Sequence, residues 1–162
     1  MRIPATRLVL SAVGSIIGTA LLVTLIGQGT GQAYVSSEDD DVSRQGQGAR
    51  LSPDAIITFS NPTPIAILDS GSAPSPANPY PSSINVSGVS GNVITVSVTI
   101  NGFYHTLPDE VDMLLVGPGG QNAIIWSDAG GSAVPPGPLT ITLDDAAANP
   151  LPDQTLLTSG TF

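Results

Sequence analysis

The amino-acid sequence predicts an all-β fold, an antiparallel jelly-roll-like β-sandwich, on the basis of three observations. From residue 56 onward, short apolar runs follow one another, and several alternate with polar residues at the period of two that marks a half-buried strand. The same region has no apolar repeat at the helical period. The chain also contains 18 glycines and 15 prolines among 162 residues, which supply the turns that such a fold needs.

Each of these apolar runs predicts one strand. The clearest strand is 94–100, in which isoleucine and valine alternate with threonine and serine. The runs 113–116 and 123–126 are apolar on both faces, which predicts two central strands. The intervening glycine-rich segment 117–120 predicts that they form one hairpin. The other predicted strands are 56–60, 65–68, 84–86 and 139–143.

Charge is scarce and unevenly distributed along the chain. Only 10% of the residues are charged, there is no lysine, and all four arginines lie within the first 50 residues. No salt bridge can therefore form within 51–162, and its carboxylates must be solvated, hydrogen-bonded to backbone N–H groups or neutralised by a cation. A surface without basic residues also repels phosphate, which excludes nucleic-acid binding and peripheral binding to anionic membranes for this region.

The first 33 residues have the layout of an export signal. Arg2 and Arg7 precede a mostly apolar, uncharged stretch at 8–27, which is followed by the small residues Gly31 and Ala33. This order predicts a secretory signal peptide that is cleaved after Ala33. The alternative is an uncleaved signal anchor, because the apolar stretch is just long enough to span a bilayer. In both cases the remainder of the chain is secreted or lies at the cell surface.

Residues 34–54 are predicted to be a disordered linker. They contain few apolar residues, an acidic run at 38–41 and a Gln-Gly repeat at 45–48. The acidic run lacks the alternating ligands and the central glycine of an EF-hand loop. The folded domain is therefore assigned to 55–162. With no cysteine in the chain, disulfides cannot stabilise this domain, and only metal ions could act as staples.

The folded region also contains a combination of short motifs. His105-Thr106 is followed by the acidic and then apolar segment 109–116 and by Pro118-x-Gly120. This order resembles the P domain, also called P/Homo B, of proprotein convertases and bacterial subtilisin-like proteases. Residues 128–131 and 143–147 are similar to its bacterial form, which occurs in secreted and surface proteins. The resemblance covers 57–162, about two thirds of the chain.

The resemblance has consequences for the fold and for partners. Residues 107–111 stand where a basic residue and Gly-Asp-Leu are common in the family, so this segment is unusually acidic. Family members continue with further strands that carry a Gly-x-Trp pattern, so the resemblance implies that the β-sandwich at 55–162 lacks its C-terminal strands. An open sheet edge would result, which is an aggregation hazard unless another segment covers it.

Catalysis has little support in the sequence. His105 is the only histidine, no Gly-x-Ser-x-Gly elbow is present, and no serine lies in a subtilisin-like context. We therefore expect His105 to be a corner residue that hydrogen-bonds the backbone rather than a general base. Trp126 lies in an apolar run, which favours a place in the core over a sugar platform. An autonomous hydrolase is thus the least favoured of three functional hypotheses.

The other two hypotheses are non-catalytic. The resemblance implies a secreted accessory module that stabilises a subtilisin-like catalytic domain or contacts other domains of a larger secreted protein. The alternative is a calcium-dependent adhesion or binding module of a bacterial surface protein. Membrane contact would occur only through the N-terminal segment, if it is not cleaved. A subtilisin domain in the same reading frame would favour the first hypothesis, and downstream β-sandwich repeats would favour the second.

Calcium is the one cofactor that the sequence supports. It needs six to eight oxygen ligands, which loop carboxylates and backbone carbonyls supply well. Asp109 and Asp112 are the leading candidates because they lie close together at a loop-to-strand junction. The alternative is a solvated acidic rim, although the calcium dependence of the convertases adds weight to the calcium hypothesis. The lower-ranked candidate ligands are Glu110, Asp128, Asp144 and Asp145.

Overall fold

Two β-sheets make up the regular structure of the residues that the structure describes. The structure is a computed structural model that describes residues 6–13, 20–28, 55–67, 75–87, 89 and 92–162. Within these ranges there are nine strands, one short 3₁₀ turn and no α-helix, which confirms the all-β prediction. The strands are β1 Thr6–Val13, β2 Ala20–Gln28, β3 Ala55–Asn61, β4 Ser82–Val86, β5 Asn92–Phe103, β6 Asp112–Val116, β7 Asn122–Trp126, β8 Leu139–Asp144 and β9 Gly160–Thr161.

The two sheets have four and five strands. The first sheet has the order β4-β1-β6-β7 and the second has the order β3-β2-β5-β8-β9. All neighbouring strands run antiparallel except β8 and β9, which are parallel. The antiparallel pairing agrees with the alternating sequence of β5 and β8, in which one face is apolar and the other polar.

Strands β1 and β2 come from the segment that the sequence assigns to export. β1 lies between β4 and β6, and β2 lies between β3 and β5, so each is an inner strand of its sheet. The predicted cleavage site at Ala33 and the predicted linker 34–54 lie outside the described residues. Cleavage therefore stays a prediction. It would remove the same residues that form the inner strands β1 and β2.

Buried side chains from both sheets form one hydrophobic core. Phe103 of β5 and Trp126 of β7 join the sheets, with ring centroids 4.6 Å apart and ring planes inclined by 34°. The predicted alternation of 94–100 holds at Val98 and Ile100, which are buried, whereas Ile94 at the start of the strand is 54% exposed. The buried core consists of Ile65, Ile67, Ala77, Ile84, Val86, Val98, Ile100, Phe103, Val111, Met113, Trp126, Ala129, Leu139, Ile141 and Leu157.

Two predictions about strands were wrong. The prediction of two central strands holds for β6, but β7 is the edge of the first sheet and its Ile124 is 70% exposed. Of the predicted strand 65–68, residue 68 lies outside the described residues, and 65–67 forms only an isolated bridge between Ala66 and Asn78, whose backbone groups exchange hydrogen bonds of 2.8 and 2.7 Å. Pro62 and Pro64 precede this run, and because proline has no N–H group they limit the pairing of the segment.

The predicted hairpin between β6 and β7 is confirmed. Its strands pair from Met113 with Trp126 to Val116 with Asn122. The N–H of Gly117 donates to the carbonyl of Gln121 at 2.7 Å, and the N–H of Gly120 donates to the carbonyl of Gly117 at 3.1 Å. Gly120 has φ 84°, a backbone conformation that glycine adopts at little cost, so the glycine-rich sequence fits its turn.

Candidate functional site

The single histidine stabilises a corner of the backbone by hydrogen bonding. His105 is 2% exposed and follows the last residues of β5. Its Nδ1 lies 2.6 Å from the carbonyl oxygen of Leu107 and 3.0 Å from the N–H of the same residue. One neutral ring nitrogen serves as donor or acceptor but not both, so the tautomer decides which of the two bonds is made. The backbone bonding expected of a corner histidine is therefore confirmed.

The corner leads directly into the most acidic segment of the domain. A 3₁₀ turn at Pro108–Glu110 begins one residue after Leu107, and the N–H of Val111 donates back to the carbonyl of Pro108 at 3.1 Å. Val111 is fully buried, whereas Glu110 and Asp112 on either side of it are exposed. Burial of Val111 thus fixes the backbone while the neighbouring carboxylates face water.

Asp109 differs from its acidic neighbours. Its side chain is half-buried, and its Oδ1 is inaccessible to water and accepts no hydrogen bond within the described residues. A buried carboxylate oxygen without a donor is costly, so such an atom calls for a partner, either water or a cation. Asp109 is therefore the candidate ligand with the best physical argument.

A second loop packs against this 3₁₀ turn. The N–H of Gly130 donates to the carbonyls of Pro152 and Asp153 at 2.7 and 2.9 Å. A Cβ atom on Gly130 would lie 2.7 Å from the Cβ of Pro108 and 2.8 Å from Cδ1 of Leu157. Three loops therefore meet at this glycine, and we call them together the glycine junction: 108–110, 128–131 and 152–157.

Sequence reasoning missed the glycine junction. The sequence singled out residues 128–131 through the family resemblance and Asp128 as a candidate ligand, and no motif pointed to 152–157. The signal that could have located it is Gly130-Gly131, since paired glycines mark backbone that other residues resist. Both glycines have positive φ, 99° and 56°. Leu157, fully buried in an irregular segment, could not have been assigned to the core from periodicity.

The remaining candidate ligands are distributed over several loops. Asp128 is exposed, has φ 49° and accepts a hydrogen bond from the hydroxyl of Ser127 at 3.1 Å. Asp144 ends β8, and its Oδ1 accepts the N–H of Ala146 at 2.8 Å, which closes a local turn. Asp145 is exposed within that turn. The backbone hydrogen bond of Asp144 gives this carboxylate a structural role.

These carboxylates do not converge. In the part of the chain that the structure describes, no three histidine, cysteine or acidic side chains come together in a group that could hold a metal ion. Calcium prefers several carboxylate or carbonyl oxygens around it. A calcium ion at Asp109 would therefore take most of its ligands from backbone carbonyls and water, which makes the fit of the described residues to calcium incomplete.

Trp126 belongs to the core, as its apolar context predicted. It is 2% exposed and stacks on Phe103. Its Nε1 is also buried and has no hydrogen-bond partner among the described residues. A buried indole offers no platform for a sugar ring, because stacking on a sugar requires an exposed face.

Comparison with known proteins adds no relative. No protein-family model, curated protein or solved structure matches this chain. Among the described residues, no helix has the length and apolar character needed to cross a membrane. The candidate site is therefore defined by its own geometry: a histidine corner, an acidic 3₁₀ turn and the glycine junction that packs on it.

Proposed function

We propose that this chain is a non-catalytic, exported module with a jelly-roll-like β-sandwich that stabilises a subtilisin-like serine protease domain, as P domains do. The observation that carries the proposal is the state of His105. Its Nδ1 is engaged by the backbone of Leu107 and its ring is buried. A general base needs a ring nitrogen within reach of a nucleophile, and this histidine is held as part of the fold.

The resemblance to the P domain is supported by the roles of the motif residues. His105 forms the corner, Asp112–Val116 forms an inner strand, and the segment through Pro118 and Gly120 forms the hairpin turn. Each part of the motif thus has a structural role. Structural roles for these motif residues favour an accessory domain over a catalytic one.

The edge strand β7 is the surface on which we place the protease domain. Residues 122–124 are all exposed, and Ile124 is the most exposed large apolar side chain among the described residues. An edge strand with an exposed apolar residue is a hazard in isolation and a natural place for another domain to pack. Val134 is also exposed and apolar, but it lies in the loop between β7 and β8 and not in a strand.

Adding the full-length chain to a subtilisin-type protease secreted by the same organism is expected to lengthen the half-life of protease activity at elevated temperature at least about fivefold, because binding to the folded state stabilises it. The Ile124→Asp variant is expected to lose this protection, and the matched Val134→Asp variant to keep it. The measurement is residual activity against time. Equal protection by both variants would exclude β7 as the contact, and hydrolysis of casein by the chain alone would contradict a non-catalytic role.

A calcium-dependent binding module is the second candidate function, and Asp109 is the observation that favours it. Its Oδ1 is buried and accepts no hydrogen bond from the part of the chain that the structure describes. A cation that binds only the folded state would stabilise it by about 2.7 kcal/mol at a hundredfold excess over Kd. We therefore expect calcium to raise the melting temperature of the chain more than magnesium or sodium chloride at equal ionic strength.

Aspartate variants distinguish a specific calcium site from a solvated acidic surface. Asp109→Asn and Asp112→Asn should abolish the calcium response, whereas Asp153→Asn should preserve it, because Asp153 is exposed and is hydrogen-bonded to Gln154 at 2.7 Å. The measurement is a thermal melt of each variant with calcium, with magnesium and with chelator. If calcium acts no better than matched sodium chloride, the carboxylates are a solvated surface.

A further inference from the structure

Residues 6–13 and 20–28, near the N-terminus, each contribute an inner strand to one of the two sheets. In the first sheet, β1 pairs on one side with β4, from Thr6 opposite Val86 to Leu10 opposite Ser82, and on the other side with β6. In the second sheet, β2 pairs with β3 and with β5. Within the sheets, β4 is therefore linked to β6 only by the hydrogen bonds of β1, and β3 is linked to β5 only by those of β2.

Without these residues both sheets would be divided. β3 and β4 would have no strand neighbour within the described residues, because each is an edge strand whose only partner is β2 or β1. β1 is antiparallel to both of its neighbours, so β4 and β6 are parallel to each other and lie two strand spacings, roughly 10 Å, apart. The side chain of Asn61 still joins β3 to β4, with hydrogen bonds of 3.3 and 3.0 Å to Ser82 and Ser83.

The sequence predicts a different fate for the same residues. Arg2, Arg7 and the apolar stretch 8–27 predict an export signal that is removed after Ala33 or held in the membrane. An inner strand of a sheet cannot also be removed from the protein or span a bilayer. Export therefore leaves four strand edges, on β3, β4, β5 and β6, whose backbone groups need new partners.

The surroundings define the chemistry of a replacement. The neighbouring strands present buried apolar residues, among them Ile84 of β4, Met113 of β6 and Val98 of β5. The region 55–162 contains carboxylates but no lysine or arginine. A replacement must therefore be a pair of apolar strands free of acidic residues, of the lengths of β1 and β2, each antiparallel to both of its neighbours.

We propose that the exported domain is a donor-strand acceptor: a partner polypeptide supplies two apolar, non-acidic strands at the positions of β1 and β2. The assignment rests on the proposed function to the extent that the chain is exported. Residues 6–13 and 20–28 hold these positions in the unprocessed chain and are exchanged for the strands of the partner after cleavage. Backbone hydrogen bonds on both sides of each strand supply the recognition, as in strand addition to open sheet edges.

The test uses the full-length chain with a specific protease site placed in 45–48, so that the domain folds before it is cut. The probe is a fluorescent peptide of residues 4–30. We expect the cut chain, and the exported chain that begins at Tyr34, to bind the peptide at least about tenfold more tightly than the uncut chain, in which the positions are held intramolecularly. Fluorescence anisotropy measures the binding, and N-terminal sequencing confirms the start of the exported chain.

A matched peptide tests whether binding occurs by strand pairing. Val9 pairs with Ser83 and Val116, and Val23 pairs with Phe59 and Val98. A peptide with Val9→Pro and Val23→Pro stays apolar but loses two N–H donors, so it should bind at least about tenfold more weakly. Equal binding of the two peptides would mean nonspecific apolar adsorption and would overturn the proposal.

Other outcomes also decide the matter. An exported chain that still begins at Met1, or a chain from Tyr34 that is a cooperative monomer and does not bind the peptide, would overturn the proposal. A chain from Tyr34 that is a stable dimer of identical copies would assign the strand positions to a second copy and would also overturn it. Protease protection without peptide binding would refute only this inference, whereas peptide binding without protection would refute only the proposed function.

Discussion

Replacing Phe103 with alanine is expected to lower the free energy of unfolding by about 3–5 kcal/mol, the range for truncation of a buried phenylalanine. Phe103 is fully buried, and its ring lies 4.6 Å from that of Trp126. Because Phe103 belongs to the second sheet and Trp126 to the first, the substitution removes a contact that holds the two sheets together. Urea denaturation, followed by the fluorescence of the only tryptophan, measures the loss.

Controls separate packing from a general effect of truncation. Ile124→Ala removes an apolar side chain that is 70% exposed, so it should change the free energy of unfolding by less than about 0.5 kcal/mol. Phe103→Leu should fall between the two because it keeps most of the apolar volume. A loss of less than about 1 kcal/mol for Phe103→Ala would mean that the two sheets do not share this core.

The position of Phe103 also illustrates what periodicity predicts and what it misses. The sequence alternation places Val98 and Ile100 on the buried face, and continuing it would bury position 102. Instead the pairing of β5 with β8 shifts between Asn101 and Phe103, and Gly102 has φ 76°. An extra residue in one strand moves the next side chain to the opposite face, so Phe103 becomes the buried residue. The glycine marked the irregularity, but its consequence depends on the partner strand.

Predictions from local pattern succeeded where one strand and its turn decide the structure. The strands at β5, β6 and β8, the hairpin at Gly117–Gly120 and the corner at His105 all follow from short runs of residues. The edge position of β7 was missed because its apolar sequence describes the strand and not its neighbours. Strand order depends on contacts between distant parts of the chain, which no local pattern contains.

In the candidate site, too, short sequence patterns predicted some features, whereas others depend on contacts between distant parts of the chain. Clustering along the sequence led to Asp109 and Asp112 as candidate ligands, yet the two differ because Val111 between them is buried and only Asp109 is drawn inward. Pro108, at the start of the 3₁₀ turn that carries Asp109, lies close to Gly130, which also lies close to Leu157. Residues so distant in sequence meet only through the fold, so spacing could nominate the acids but not rank them by burial.

The glycine junction supplies the second large effect. Gly130→Ala is expected to lower the free energy of unfolding by about 3 kcal/mol or more, from two sources. At φ 99° an L-residue is strained, which costs about 1–3 kcal/mol. The new Cβ would also lie 2.7 Å from Pro108 and 2.8 Å from Leu157, and such overpacking costs a further 1–3 kcal/mol or so. Thermal or urea unfolding of the variant measures the sum.

Two other glycines separate these sources. Gly120 has φ 84° but no atom within 4 Å of an added Cβ, so Gly120→Ala should show the strain alone, about 1–2 kcal/mol. Gly137 has neither a positive φ nor a close neighbour, so Gly137→Ala should be neutral or stabilise by up to about 1 kcal/mol through the unfolded chain. The expected order of destabilisation is therefore Gly130, then Gly120, then Gly137. If Gly130→Ala cost no more than Gly120→Ala, the loop 128–131 would not pack against Pro108 and Leu157.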